Sequence, residues 1–145
     1  MKKVLLGLTA AAVLAFSATA SASSPAAYKS QVNAICAKGV AQLDAVPTPK
    51  SAAAIYPYFK QVAKLSDALL VKVSKVTPPA SLAVAVSRAV TAQGKFEVAL
   101  DALVAKLKTS SSPQQTALAS RAHLTRLNNA ANKAWIAAGL VKCGS

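Results

Sequence analysis

Acidic residues are scarce in this sequence. Asp44, Asp67, Glu97 and Asp101 are the only four, against 17 lysines and arginines, and the formal net charge is +13. Histidine is scarcer: His123 stands alone. One histidine and two distant cysteines offer no ligand set of metal-binding spacing. Glu97 and Asp101, four apart on a predicted helix, form the one carboxylate pair. General acid–base work needs a pocket and shifted pKa values, so both are expected to be solvated and close to lysine or arginine. His123 is expected to be a partly exposed helix residue. Serine-hydrolase, zinc-protease and phosphate-loop patterns are absent. The chain is therefore read as non-enzymatic, with no metal or cofactor. Strand-like alternation of useful length is also missing, which excludes a sheet-based fold.

Two cysteines, Cys36 and Cys143, are present. The first 22 residues, "MKKVLLGLTAAAVLAFSATASA", carry Lys2 and Lys3, then an apolar run from Val4 to Phe16, then small residues suited to cleavage after Ala22. This is the pattern of a secretory signal peptide. The apolar run is shorter than the roughly 20 residues a spanning helix needs. The mature chain is then expected to be residues 23–145, secreted to the extracellular space or the cell envelope. Without Lys2 and Lys3 it keeps 15 basic residues against four acidic ones, a net charge of +11. In an oxidising compartment two cysteines point to one disulfide. Within one chain the only connectivity is Cys36–Cys143; bridges between chains are the rival.

Alanine dominates what remains, with 27 of these 123 residues, and alanine is the strongest helix former. Four helices are expected, at about 26–46, 49–76, 78–108 and 113–138, followed by a tail at 139–145. Tyr28, Val32, Ile35 or Cys36, Gly39 and Leu43 make one face of the first. Ile55, Phe59, Val62, Ser66, Leu69 and Val73 line the second, in which Pro57 predicts a kink or a separate first turn. Leu82, Val86, Ala89, Gln93, Phe96 and Leu100 begin the stripe of the third. Ala117, Leu124, Leu127, Ala131, Ala134 and Trp135 give the fourth its apolar side. Thr48 with Pro49, Thr77 with Pro78 and Ser112 with Pro113 are expected helix starts. Ser112 and Gln115 fit a capping box, and Gly139 a left-handed stop. Short connections between long helices favour an up-down-up-down four-helix bundle, closed by the disulfide. In that bundle the tail should turn at Gly139, cover the end with Leu140 and run back along the first helix to Cys36.

The segments "QVNAICAKG", "VTPPASL" and "AAGLVKCGS" carry a resemblance. With their N-x-I-C, P-P-x-x-L and G-L-x-x-C-G patterns they resemble a family of small secreted helical proteins of actinobacteria. The resemblance covers most of the mature chain. It implies the helical architecture and the disulfide, and it implies no activity.

The basic excess is the property with functional content. Arg88, Lys95 and Lys106 fall near one line on the third helix, and Lys60, Lys64 and Lys75 form a looser stripe on the second. Such surfaces attract anions. An exported chain meets anionic envelope polymer or lipid, and nucleic acid is not expected as a partner. The alternative is a carrier of a small apolar ligand, haem or lipid, in the bundle interior. Tyrosine and histidine can ligate haem, but Tyr28, Tyr56, Tyr58 and Trp135 are expected to serve packing. Asn128, Asn129 and Asn132 are expected either to face Asn33 in a polar network or to face water.

Overall fold

Prolines punctuate the chain, and the helices fall between them. The computed structural model describes residues 24–145; the export segment read at residues 1–22 lies outside them. Helix α1 is Pro25–Asp44, α2 Ala52–Ser74, α3 Ala80–Thr109 and α4 Pro113–Ala137. Helix α1 starts with proline in the first turn, where its missing N–H costs nothing, and Ser24 Oγ accepts the Ala27 N–H at 3.1 Å.

Two expected starts move inward. Helix α2 is preceded by an extended Ser51 and begins at Ala52, so Thr48 and Pro49 stay in the link. Helix α3 is preceded by Pro79, not Thr77, and the Pro79 carbonyl accepts the N–H groups of Leu82 and Ala83. A proline bars its predecessor from helical geometry, so Pro79 keeps Pro78 outside. At α4 the boundary falls as expected, but the Ser112 side chain caps nothing. Ser110 Oγ instead accepts the Ser112 N–H and pairs with Thr116 Oγ1 at 2.7 Å. Pro57 interrupts the bonding of α2 without dividing it: one helix runs through it.

The two core clusters show the direction of each helix. One joins Tyr28, Val32 and Cys36 near the start of α1 to Val73 at the end of α2, Val86 and Ala89 early in α3, and Trp135 and Ala138 at the end of α4. The other joins Ile55 early in α2 to Leu103 and Leu107 late in α3, with Leu124 of α4 packed on them. The fold is thus an up-down-up-down four-helix bundle. Burying these side chains stabilises it by roughly 1.5–3 kcal/mol for each large one. Gly39 brings α1 and α2 together: a Cβ there would stand 2.6 Å from the Leu69 methyl carbons.

Helix α3 packs most extensively on α4, whereas α1 rests chiefly on α2. At the end of the bundle where α1 starts and α4 stops, the tail closes the seam between these two helices. Gly139 adopts φ +76°. Its N–H bonds the Ile136 carbonyl, and the Leu140 N–H reaches back to Trp135, the two bonds of a Schellman stop. Leu140 is fully buried. The tail is not extended. It turns twice more, with Cys143 N–H on Leu140 and Gly144 N–H on Val141. The Lys142 N–H bonds Asn33 Oδ1 at 2.9 Å, and Cys143 is bridged to Cys36. No described helix is long and apolar enough to cross a membrane.

Candidate functional site

Two concave features of opposite chemistry flank α3 and α4. The first is a groove along their outer side. Arg88 and Lys95 of α3 meet Arg126 and Leu127 of α4 there, in a recess of about 480 Å³. It continues through Lys95 and Leu127 into a second recess of about 660 Å³, lined also by Val98, Ala102 and His123. The spacing of Arg88, Thr91, Lys95 and Val98 by three and four residues puts them on one face of α3. The small residues Ala92, Gly94 and Ala99 leave the hollow between the larger side chains. No aspartate or glutamate lines either recess.

Of the six basic residues singled out from sequence, the structure brings Arg88 and Lys95 together. Lys106 continues the same line of α3 but does not line the groove, and Lys60, Lys64 and Lys75 lie on or at the end of α2. Lys60 Nζ stands 5.9 Å from the centroid of the Tyr56 ring. Sequence reasoning missed Arg126. Its signal is the α4 triplet Arg126, His123 and Leu127, one turn of helix opposite the basic line. His123 is exposed, and its Nδ1 lies 3.1 Å from an Arg126 guanidinium nitrogen.

The second feature is a cleft of about 290 Å³ between α1, α2 and α4, with α3 beneath. Its apolar lining includes Val40 and Leu43 of α1, Val62 and Leu69 of α2 and Phe96 of α3. Cys36, Cys143 and Ser145 close one end. Asn128 and Asn132 of α4 face it, while Asn129 is exposed. Asn33 therefore serves the tail and not an asparagine network.

Beneath the cleft lies a buried polar chain that corrects the sequence reading of Glu97. This carboxylate is not solvated beside a cation: it is 6% exposed. Its Oε1 accepts from Ser66 Oγ and from Gln93 Nε2, each at 2.6 Å. Gln93 Oε1 in turn accepts from Trp135 Nε1 at 3.2 Å. Three helices are thus tied by one chain of bonds. Burial pushes the Glu97 carboxyl above the usual carboxylate range; the Ser66 and Gln93 bonds oppose this, and the charges of Asp67 and Asp101 reinforce it. Partial burial, then Asp101, raises Asp67 as well. Tyr28 and Trp135 are core residues, as expected. The Tyr28 hydroxyl is buried without a hydrogen-bond partner, and burial raises its pKa.

No group of three or more histidine, cysteine or carboxylate side chains among the described residues could hold a metal ion. Comparison with protein-family models, with curated proteins and with solved structures finds no match.

Proposed function

We propose that this is a secreted, non-enzymatic protein that associates with anionic components of the cell envelope, polymer or lipid, through the groove between α3 and α4. The observation that carries the reading is the lining of that groove. Arg88, Lys95 and Arg126 converge there with no carboxylate among them. Exposed Val98, which lines the continuation of the groove, and exposed Val84 one turn before Arg88 add apolar contact area. Arginine forks match phosphate and carboxylate oxygens in pairs, and a positive surface concentrates anions near it. The disulfide is consistent with an oxidising, extracellular setting.

Co-sedimentation with purified envelope, and separately with vesicles of anionic and zwitterionic lipid, tests the reading. Binding is expected at low salt and should weaken as salt rises, because exposed charges are screened. A basic residue near an anionic surface contributes about 1 kcal/mol. The triple variant Arg88→Ala/Lys95→Ala/Arg126→Ala should therefore bind roughly 100-fold more weakly. Absence of binding at low salt, or a triple variant that binds as tightly as the parent, would sink the proposal.

A further inference from the structure

We propose that the cleft between α1 and α4 is a second, separate site, which binds an uncharged single-chain amphiphile: an acyl or alkyl chain carrying a hydroxyl or amide head. Three observations carry this. The first is shape. Helix α2 lines the cleft with Tyr58, Val62, Ser66, Leu69 and Val73, spaced by three and four residues along one face. At 1.5 Å per residue that row is about 22 Å long. A volume of about 290 Å³ spread along such a length is a narrow trough. It suits a chain and not a broad ring system. Haem, the other interior ligand considered, also loses its histidine: His123 lies on the outer groove.

The second observation is charge. The chain has 17 lysines and arginines, yet none lines the cleft. Its one acidic side chain is Asp44, at the end of α1. An anionic head would find no counter-charge and an aspartate beside it, so the cleft selects against anions; the neutral head is assigned from the uncharged polar groups, Asn128, Asn132, Ser66 and Gln93. The outer groove, lined by arginine and lysine, makes the opposite selection. The third is the placement of polar groups. Asn128 and Asn132 on one wall, with Ser66 and Gln93 on the floor, offer amide and hydroxyl groups to a head, while Val40, Leu43, Val62, Leu69 and Phe96 hold the chain. The surface of the cleft is nearly half polar, which suits an amphiphile and not a purely apolar chain: oriented polar groups fix the head and apolar side chains hold the tail. Glu97 holds Ser66 and Gln93 from behind, so the floor is set before a ligand arrives.

Trp135 lines the cleft and is the only tryptophan, so its emission reports occupancy. The oxidised protein is titrated with monolauroylglycerol below its micelle concentration, and in parallel with laurate, which has the same chain and a charged head. A saturable change is expected with monolauroylglycerol, insensitive to salt and weaker with laurate. Val62→Phe, which fills the trough, should weaken binding about tenfold or more. Val40→Phe does the same from the opposite wall, should the first variant lose its helical circular dichroism. The triple variant of the outer groove should bind as the parent does, which separates this site from anion docking. No saturable response, tighter salt-sensitive binding of laurate, or full affinity in a folded trough-filled variant would each overturn the proposal.

Discussion

Breaking the disulfide should produce the largest single loss of stability in this fold. Cys36 and Cys143 are 107 positions apart, so the bridge restrains most of the described residues in the unfolded state. A closed loop of that length corresponds, in the chain-entropy account, to about 5 kcal/mol. A domain of this size has a total stability of about 5–15 kcal/mol. Unfolding entropy of about 2 cal/mol/K per residue gives roughly 0.25 kcal/mol/K for 122 described residues, so the melting temperature should fall by about 20 °C. The folded state loses less. The turn at Gly139, the burial of Leu140 and the Lys142–Asn33 bond do not depend on the sulfur atoms. Far-ultraviolet circular dichroism during heating would compare oxidised protein, reduced protein and Cys143→Ser. A drop of less than about 5 °C would refute the entropy reasoning, and a disulfide-linked dimer on a non-reducing gel would refute the intramolecular pairing.

Two further outcomes rest on buried polar groups. The folded pKa of Glu97 lies above its unfolded value, chiefly through burial. Its contribution to stability is therefore full below the unfolded value, about 4.3, and is lost as pH rises through the folded value. Melting temperature should climb as pH falls from neutral towards that point, with Asp67 acting in the same sense, and Glu97→Gln should flatten much of the slope. A parent protein that instead loses stability over that range contradicts the assignment. Tyr28→Phe removes a fully buried hydroxyl that has no partner. It should stabilise the fold by about 1 kcal/mol, seen as a rise of about 4 °C in melting temperature; a fall would mean the hydroxyl is bonded.

Much of the fold could be read in advance because local and long-range signals agree. Proline breaks set four helices, and the stripe through Tyr28, Val32, Cys36 and Gly39 of α1 is the buried face observed. The start of α3 was misplaced because a proline acts on the residue before it as well as on itself; the start of α2 was misplaced because Ser51, and not Thr48, is the extended residue that precedes the helix. Glu97 was misread for a different reason. Glutamate is almost never buried without a partner, and its partners come from another helix and an earlier turn, which spacing alone does not reveal. A signal did exist. Ser66 and Gln93 are polar residues within otherwise apolar stripes, and Glu97 stands four residues after Gln93 and three before Leu100, on the same face. The groove was half legible: the α3 line showed Arg88 and Lys95, whereas Arg126 required knowing which face of α4 lies against it.

The close pairing of α3 with α4 has a directional consequence. On α3, Gln93 lines the cleft and Lys95 the groove, and two residues of helix turn the side chain by about 200°. On α4, Asn128 and Asn132 line the cleft, while Arg126 and Ala130 line the groove. The same two helices form a partition with a basic side and an uncharged side, back to back. If both proposals hold, a molecule docked on an anionic surface by its groove would keep the mouth of the cleft turned outward, so that neither occupant obstructs the other.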